Sequence, residues 1–114
     1  MFGRGYEVSL SRVRDKIRVR DGNKTLTLTV SEEAGRLVSG LNNAQKKLTE
    51  ASVDAEKIQD AAEYFSMVIF GKEQADKLFD FYDGDAACVI EICGRYFRER
   101  LGAMITKAQK HETV

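Results

Sequence analysis

The chain has no proline and no tryptophan, and it has a single histidine and two cysteines among its 114 residues. The absence of proline agrees with long uninterrupted helices, since proline inside a helix removes a hydrogen bond and clashes with the preceding turn. With His111 as the only histidine, close to the C-terminal end, neither a Ser/His nor a Cys/His pair can form within a core. Cys88 and Cys93 are five positions apart, outside the CxxC spacing of redox and zinc motifs, and are predicted to be reduced packing residues. We therefore do not expect an enzyme.

Long apolar runs are also absent. The longest, residues 66–70, is far shorter than the roughly 20 residues that span a bilayer. The first residues have charges spread among them and no continuous apolar stretch, so they do not resemble a secretory signal. The sequence therefore predicts a cytoplasmic protein without a membrane-spanning helix.

Eighteen basic and eighteen acidic residues balance to a net charge of zero. This balance argues against the strong positive field that non-specific nucleic-acid binding needs. The charges are segregated, however, because residues 1–30 and 95–114 are basic and residues 31–94 are acidic. Such segregation can stabilise a fold or steer a partner.

No metal or nucleotide motif is complete. The segment from Asp80 to Glu91 matches the first and last positions of an EF-hand calcium loop, but its third, fifth and sixth positions are Tyr82, Gly84 and Asp85. A helix end with a glycine turn and an aspartate cap is the better interpretation. Neither a GxGxxG nor a Walker loop is present, and we predict no cofactor and no metal.

Two N-terminal segments, residues 16–20 and 24–30, alternate apolar with polar side chains at the period of two that strands require. Residues 21–23, Asp-Gly-Asn, lie between them and are typical of a hairpin turn. The sequence therefore predicts a β-hairpin, and Val8, Leu10 and Val13 are expected to form a further short extended piece before it.

Helical periodicity begins after Ser31, a favoured N-cap residue. Apolar residues then follow at alternating spacings of three and four, from residue 34 to residue 69. One helix of that length is possible, but Ser52 and Asp54 are both favoured caps and predict two helices. Gly71 is expected to end the second, residues 72–82 form a third, and residues 86–110 form a fourth whose apolar side includes Phe97.

We predict a single domain over residues 1–114 with an α+β fold that is predominantly α. An N-terminal β-hairpin region (1–30) precedes a bundle of about four helices (31–110) and a short tail (111–114).

Aromatic residues cluster between positions 64 and 97, which hold eight of the ten. Residues 64–70 are almost all apolar, so one helix face cannot bury them all, and some should reach the surface. Exposed aromatic and methionine side chains typically form protein-binding patches. The predicted patch consists of Met67, Ile69, Phe70, Phe81 and Tyr82. Formation of a homo-oligomer would bury the same exposed apolar side chains, and it is an open alternative.

A second hypothesis concerns the basic residues at alternate positions of the first strand: Arg12, Arg14, Lys16, Arg18 and Arg20. They would all project from one strand face, and a two-stranded ribbon can enter the major groove of DNA. A nucleic-acid-binding regulator is therefore the alternative function. Basic residues on an edge strand also prevent unwanted strand pairing.

The stretch FGKEQADKLFDFYDGD, followed by GRYFRERLGAMITKAQK, resembles the tail assembly chaperones encoded in the tail-gene clusters of siphophages. The resemblance covers about residues 58–110 and has the pattern G-x-E-x-A-x-x-L-x-x-F-Y with a closing amphipathic helix. It implies a non-enzymatic role in the bacterial cytoplasm, where such proteins bind the aggregation-prone tape measure protein and also the tail tube protein. It implies no individual binding residues.

Overall fold

The computed structural model describes residues 11–112. The predicted fold class is confirmed, because an antiparallel hairpin is followed by four helices. Strands β1 (Arg12–Asp21) and β2 (Lys24–Glu33) precede helices α1 (Ala34–Ala51), α2 (Ala55–Phe70) and α3 (Lys72–Phe81). The fourth helix has three consecutive parts, namely α4 (Ala86–Tyr96), a π-helical turn (Phe97–Leu101) and α5 (Gly102–Glu112). Of the expected early extended piece, Val13 belongs to β1, whereas Val8 and Leu10 lie outside the described residues.

The hairpin is longer than the sequence predicts. Gly22 and Asn23 form its two-residue loop, and the positive φ of 62° at Gly22 suits a type II′ turn with glycine at its first central position. The prediction that Ser31 caps the first helix is wrong, because Ser31 pairs with Arg14 and β2 continues to Glu33. The strand continues because β1 still supplies pairing partners at that point, and such pairing between distant residues cannot be read from a cap motif.

The predicted division into two helices near Ser52 is confirmed. Ser52 has a φ of 48°, which ends α1. The Asp54 carboxylate then accepts hydrogen bonds from the backbone amides of Glu56 and Lys57, at 3.0 and 3.2 Å, and so caps α2. Gly71, with a φ of 83°, ends α2 as expected.

Helix α2 lies at the centre of the fold, in contact with α1, α3, α4 and β2. Because neighbours cover several of its sides, its apolar residues are buried on more than one face. Ile69 and Phe70 are only 2% and 5% exposed and belong to the main core. Their assignment to a surface patch is therefore wrong.

The π-helical turn changes which residues of the fourth helix are buried. The Gly102 amide donates its hydrogen bond to the Phe97 carbonyl, five residues back. A π turn adds a residue to the local repeat and rotates the following side chains relative to an α-helix. Tyr96 and Leu101, five residues apart, are consequently both buried, whereas Phe97, predicted on the apolar side, is 38% exposed. None of the helices within residues 11–112 combines the length and the apolar character that a membrane span requires.

Candidate interaction surfaces

The structure does not bring the five residues of the predicted protein-binding patch together. Ile69 and Phe70 are in the core. Phe81 and Tyr82 are half-buried at the C-terminal end of α3, where their rings meet edge to face at 5.0 Å. Met67 is the one member with a substantially exposed side chain, at 42%.

Phe81 holds the hairpin loop against α3. The ammonium group of Lys24, the first residue after the loop, lies 5.3 Å from the centre of the Phe81 ring and donates a 3.1 Å hydrogen bond to the Phe81 carbonyl. Burial raises the pKa of the neighbouring Tyr82 hydroxyl, and the nearby carboxylate of Asp21 raises it further. These contacts give Phe81 and Tyr82 a structural role at the tip of the hairpin.

Met67 lies where two clefts meet. One cleft, of about 380 Å³, lies between α2 and α3 and is lined in part by Phe79. The other, of about 320 Å³, lies between α1 and α2 and is lined in part by Tyr64 and Val68. We call Met67, Tyr64, Val68 and Phe79 the Met67 surface. Tyr64 is one helical turn before Met67 on α2, a spacing that the sequence displays, but the contribution of Phe79 depends on how α3 packs.

The five basic side chains of β1 share one exposed face, as the sequence predicts. All five are exposed: Arg12, Arg14, Lys16, Arg18 and Arg20. The cross-strand residues on this face are the hydroxyl-bearing Thr25, Thr27, Thr29 and Ser31, with Glu33 at the end. In the part of the chain that the structure describes, none of the five forms a salt bridge. We call these five residues the basic row.

The opposite face of β1 carries a buried acid. The Asp15 carboxylate accepts hydrogen bonds from the guanidinium group of Arg100 and from the Tyr96 hydroxyl. Arg100 is the main reason that the pKa of Asp15 lies below its ordinary value, against the opposing effect of burial. Burial, together with the hydrogen bond to Asp15, raises the pKa of Tyr96 above its ordinary value. The hydrogen bonds of Asp15 with Tyr96 and Arg100 thus join the hairpin to the fourth helix, at the π turn of that helix.

A groove of about 600 Å³ runs between β1 and the fourth helix, and we call it the β1–α4 groove. Its lining combines apolar and charged side chains, contributed by Ile17, Arg18, Val19 and Arg20 of β1 and by Ile92, Arg95, Tyr96, Glu99 and Arg100 of the helix. Sequence reasoning missed this groove, because nothing in a linear pattern indicates that β1 and α4 lie side by side.

The two cysteines have packing positions. Cys93 is fully buried, Cys88 is half-buried, and both thiols are free. Burial raises the pKa of Cys93 to about 12, which makes this thiol unreactive at neutral pH. Among the described residues, no group of three or more His, Cys, Asp and Glu side chains could hold a metal ion.

The described surface thus offers the Met67 surface, the basic row and the β1–α4 groove. No family model matches the chain, and comparisons with curated proteins and with solved structures give no match.

Proposed function

We propose that the protein is a non-enzymatic, protein-binding assembly factor that shields an apolar segment of another protein, in the manner of a phage tail assembly chaperone. The observation that carries this proposal is the Met67 surface. A methionine side chain is flexible and polarisable, which suits binding to apolar segments of varied shape. Half-buried aromatic residues on both sides of it supply the contact area from which binding energy at protein interfaces mainly comes.

The charges around this surface favour one kind of occupant. The cleft between α2 and α3 is bordered by three acids, Glu63, Asp76 and Asp80, and by one base, Lys72, which bonds to Asp76 at 3.3 Å. An amphipathic helix that presents apolar anchors with basic flanking residues complements this arrangement. The resemblance to tail assembly chaperones supports the tape measure protein as the client, the tail tube protein as a further one, and the bacterial cytoplasm as the location.

The test is co-expression with the tape measure protein encoded by the same genome. Met67→Glu places a charge between the two clefts, and we expect the soluble yield of the client to fall to that without the chaperone. Val53→Glu is the matched control, because Val53 is 92% exposed in the α1–α2 loop and lines neither cleft. Circular dichroism of both variants checks that they fold.

Two results would contradict the proposal. An equal yield of soluble client with the Met67→Glu and Val53→Glu variants would show that the Met67 surface does not bind the client. A change in the sedimentation of the chaperone alone, with client solubility retained, would show that Met67 lies in a homo-oligomer interface.

The basic row favours a second candidate function, that of a nucleic-acid-binding regulator. Five exposed cations on one ribbon face, with no salt-bridged acid among the described residues, could contact successive phosphates. The affinity for duplex DNA should then decrease with added salt. Arg14→Glu should reduce the slope of the logarithm of the affinity against the logarithm of the salt concentration by about 0.9, because one phosphate contact is lost. Binding that is indifferent to salt would exclude this function.

A further inference from the structure

One edge of β1 is unpaired in the described part of the chain. The only sheet there has two strands, and β2 occupies one side of β1. A two-residue loop closes the hairpin, so Asp21 and Lys24 beside it form a hydrogen-bonded pair. Hydrogen-bonded and non-hydrogen-bonded pairs then alternate, and Arg18 and Arg20 both fall in non-hydrogen-bonded pairs. The backbone amide and carbonyl groups of Arg18 and Arg20 therefore point away from β2.

The β1–α4 groove lies along this same edge. Its β1 wall is residues 17–20, which span about 13 Å at the rise of an extended strand. The opposite wall is the fourth helix, which contributes the half-buried Ile92 and the ring of Tyr96. A groove between a strand edge and a helix is a recurring site for an added peptide strand, because the edge supplies hydrogen bonds and the helix supplies side-chain contacts.

The groove differs from the rest of this neutral protein in its charge. Four arginines line it, Arg18, Arg20, Arg95 and Arg100, against the single acid Glu99. Arg100 is already bonded to Asp15, but the other three form no salt bridge within residues 11–112. The rim therefore carries uncompensated positive charge.

An added strand would place alternate side chains on two different faces. Those on the outer face would lie beside Arg18 and Arg20, and the others would face Ile17, Ile92 and Tyr96. We propose that the β1–α4 groove binds an extended segment of a partner protein in which acidic and apolar residues alternate, and that this segment joins the hairpin as a third strand. This site is separate from the Met67 surface, and the inference does not depend on the proposed function.

The probe is a labelled ten-residue peptide of alternating glutamate and valine with blocked ends, titrated into the full-length protein and followed by fluorescence anisotropy. Saturable binding is expected. A lysine–valine peptide of the same length and a glutamate–valine peptide with N-methylated backbone amides should both fail to bind. If the N-methylated peptide binds as well as its parent, no strand is added and the proposal is overturned.

Protein variants locate the site. Arg18→Glu should weaken peptide binding by at least about tenfold, because it replaces a rim cation with an anion. Arg14→Glu makes the same change of charge in the basic row but outside the groove, and its effect should be clearly smaller. Lys46→Glu, on the exposed face of α1, is the control for the change in net charge and should leave peptide binding unchanged. If Arg14→Glu and Arg18→Glu lower the affinity for the peptide equally, the peptide is attracted by the charge of the whole basic row. That result would contradict binding in the groove.

Amide hydrogen exchange provides an independent readout. The amides of Arg18 and Arg20 should exchange rapidly in the free protein and become protected when the peptide binds. Protection in the free protein would overturn the proposal, because the edge would already be covered. If that protection were lost on dilution, the edge would be covered by a second copy of the protein, and if it persisted, by another part of the same chain.

Discussion

Asp15 and Arg100 form a bidentate ion pair that joins the first strand to the last helix. Arg100 Nε lies 2.7 Å from Asp15 Oδ2, and Arg100 Nη2 lies 2.7 Å from Asp15 Oδ1. The Tyr96 hydroxyl donates a third hydrogen bond to Oδ2 at 2.8 Å. The side chain of Asp15 is only 7% exposed, so these bonds replace the water that a carboxylate would otherwise bind.

This pair predicts how stability depends on pH. The pKa of Asp15 in the folded protein lies below its ordinary value of 3.8, mainly because of Arg100. The stability that results is therefore fully present above pH 3.8 and is lost as the pH falls through the lower, folded pKa. Asp15→Asn should lower the free energy of unfolding by about 1–3 kcal/mol at neutral pH, and by progressively less in acid.

Urea denaturation of the wild type and Asp15→Asn at a series of pH values tests this prediction. Asp60→Asn is the control, because Asp60 is exposed on α2, and it should change the free energy of unfolding by less than about 0.5 kcal/mol. A constant difference between wild type and Asp15→Asn down to the lowest pH would show that the charge of Asp15 does not stabilise the fold.

Gly40 is predicted to be intolerant of alanine. A Cβ atom at this position would lie 2.6 Å from Cγ1 and 2.9 Å from Cγ2 of Val68 on α2. Valine has one strongly preferred rotamer in a helix and cannot easily move away. Overpacking costs about 1–3 kcal/mol, more than the roughly 1 kcal/mol that alanine gains over glycine in helix propensity. Gly40→Ala should therefore lower the melting temperature.

Gly35 provides the comparison in the same helix. A Cβ atom there would be in ordinary contact, 3.5 Å from Oε1 of Glu33, so Gly35→Ala should leave the melting temperature unchanged or raise it. Equal effects at Gly35 and Gly40 would contradict the close approach of α1 and α2.

Ser52→Gly should stabilise the protein. Ser52 has φ 48° and ψ −113°, a backbone conformation that glycine adopts without strain and serine does not. The same replacement at Ser39, in the middle of α1, should destabilise by about 0.5 kcal/mol because glycine is the poorer helix former. Thermal denaturation of the two variants should therefore give shifts of opposite sign. A lower melting temperature for Ser52→Gly would mean that the chain does not turn at Ser52 as described.

The two thiols should differ in reactivity. Cys93 is fully buried and its pKa is raised to about 12, so a thiol-alkylating reagent should modify it only when the protein unfolds. Cys88 is half-buried and should react first, although slowly, since burial and the neighbouring Asp85 raise its pKa as well. Mass spectrometry after a timed exposure to iodoacetamide separates the two sites. Modification of Cys93 as fast as Cys88 in native protein would contradict the packing of α4.

Local signals in the sequence predicted the element boundaries well where a side chain acts on its own backbone. Asp54 and Asp85 each cap the helix that follows, and Gly71 ends α2, all as expected. The sequence predicts the end of β2 too early, because the last residues of β2 pair with a strand about twenty positions away. The apolar periodicity predicts Phe97 on the buried side, but the π turn interrupts that periodicity and Phe97 is exposed.

The candidate site was harder to predict than the fold. A helix that is apolar on several sides is either buried all round or presents surplus apolar surface, and sequence alone does not separate the two. Burial of Ile69 and Phe70 and exposure of Met67 depend on the neighbours of α2. The basic row was predicted in full, because side chains in a strand alternate between faces whatever the strand packs against.

The measurement that most directly tests protein binding as the function is the affinity of the full-length protein for the tape measure protein, compared with its affinity for duplex DNA, at low and high salt. Burial of apolar side chains at the Met67 surface predicts client affinity that persists at high salt, with only the smaller contribution of the acidic border lost. Five phosphate contacts by the basic row would instead predict a loss of about 500-fold in DNA affinity between about 50 and 200 mM salt. Salt-resistant client binding that Met67→Glu abolishes is the expected result, and binding of DNA alone, lost steeply with salt, would contradict the account.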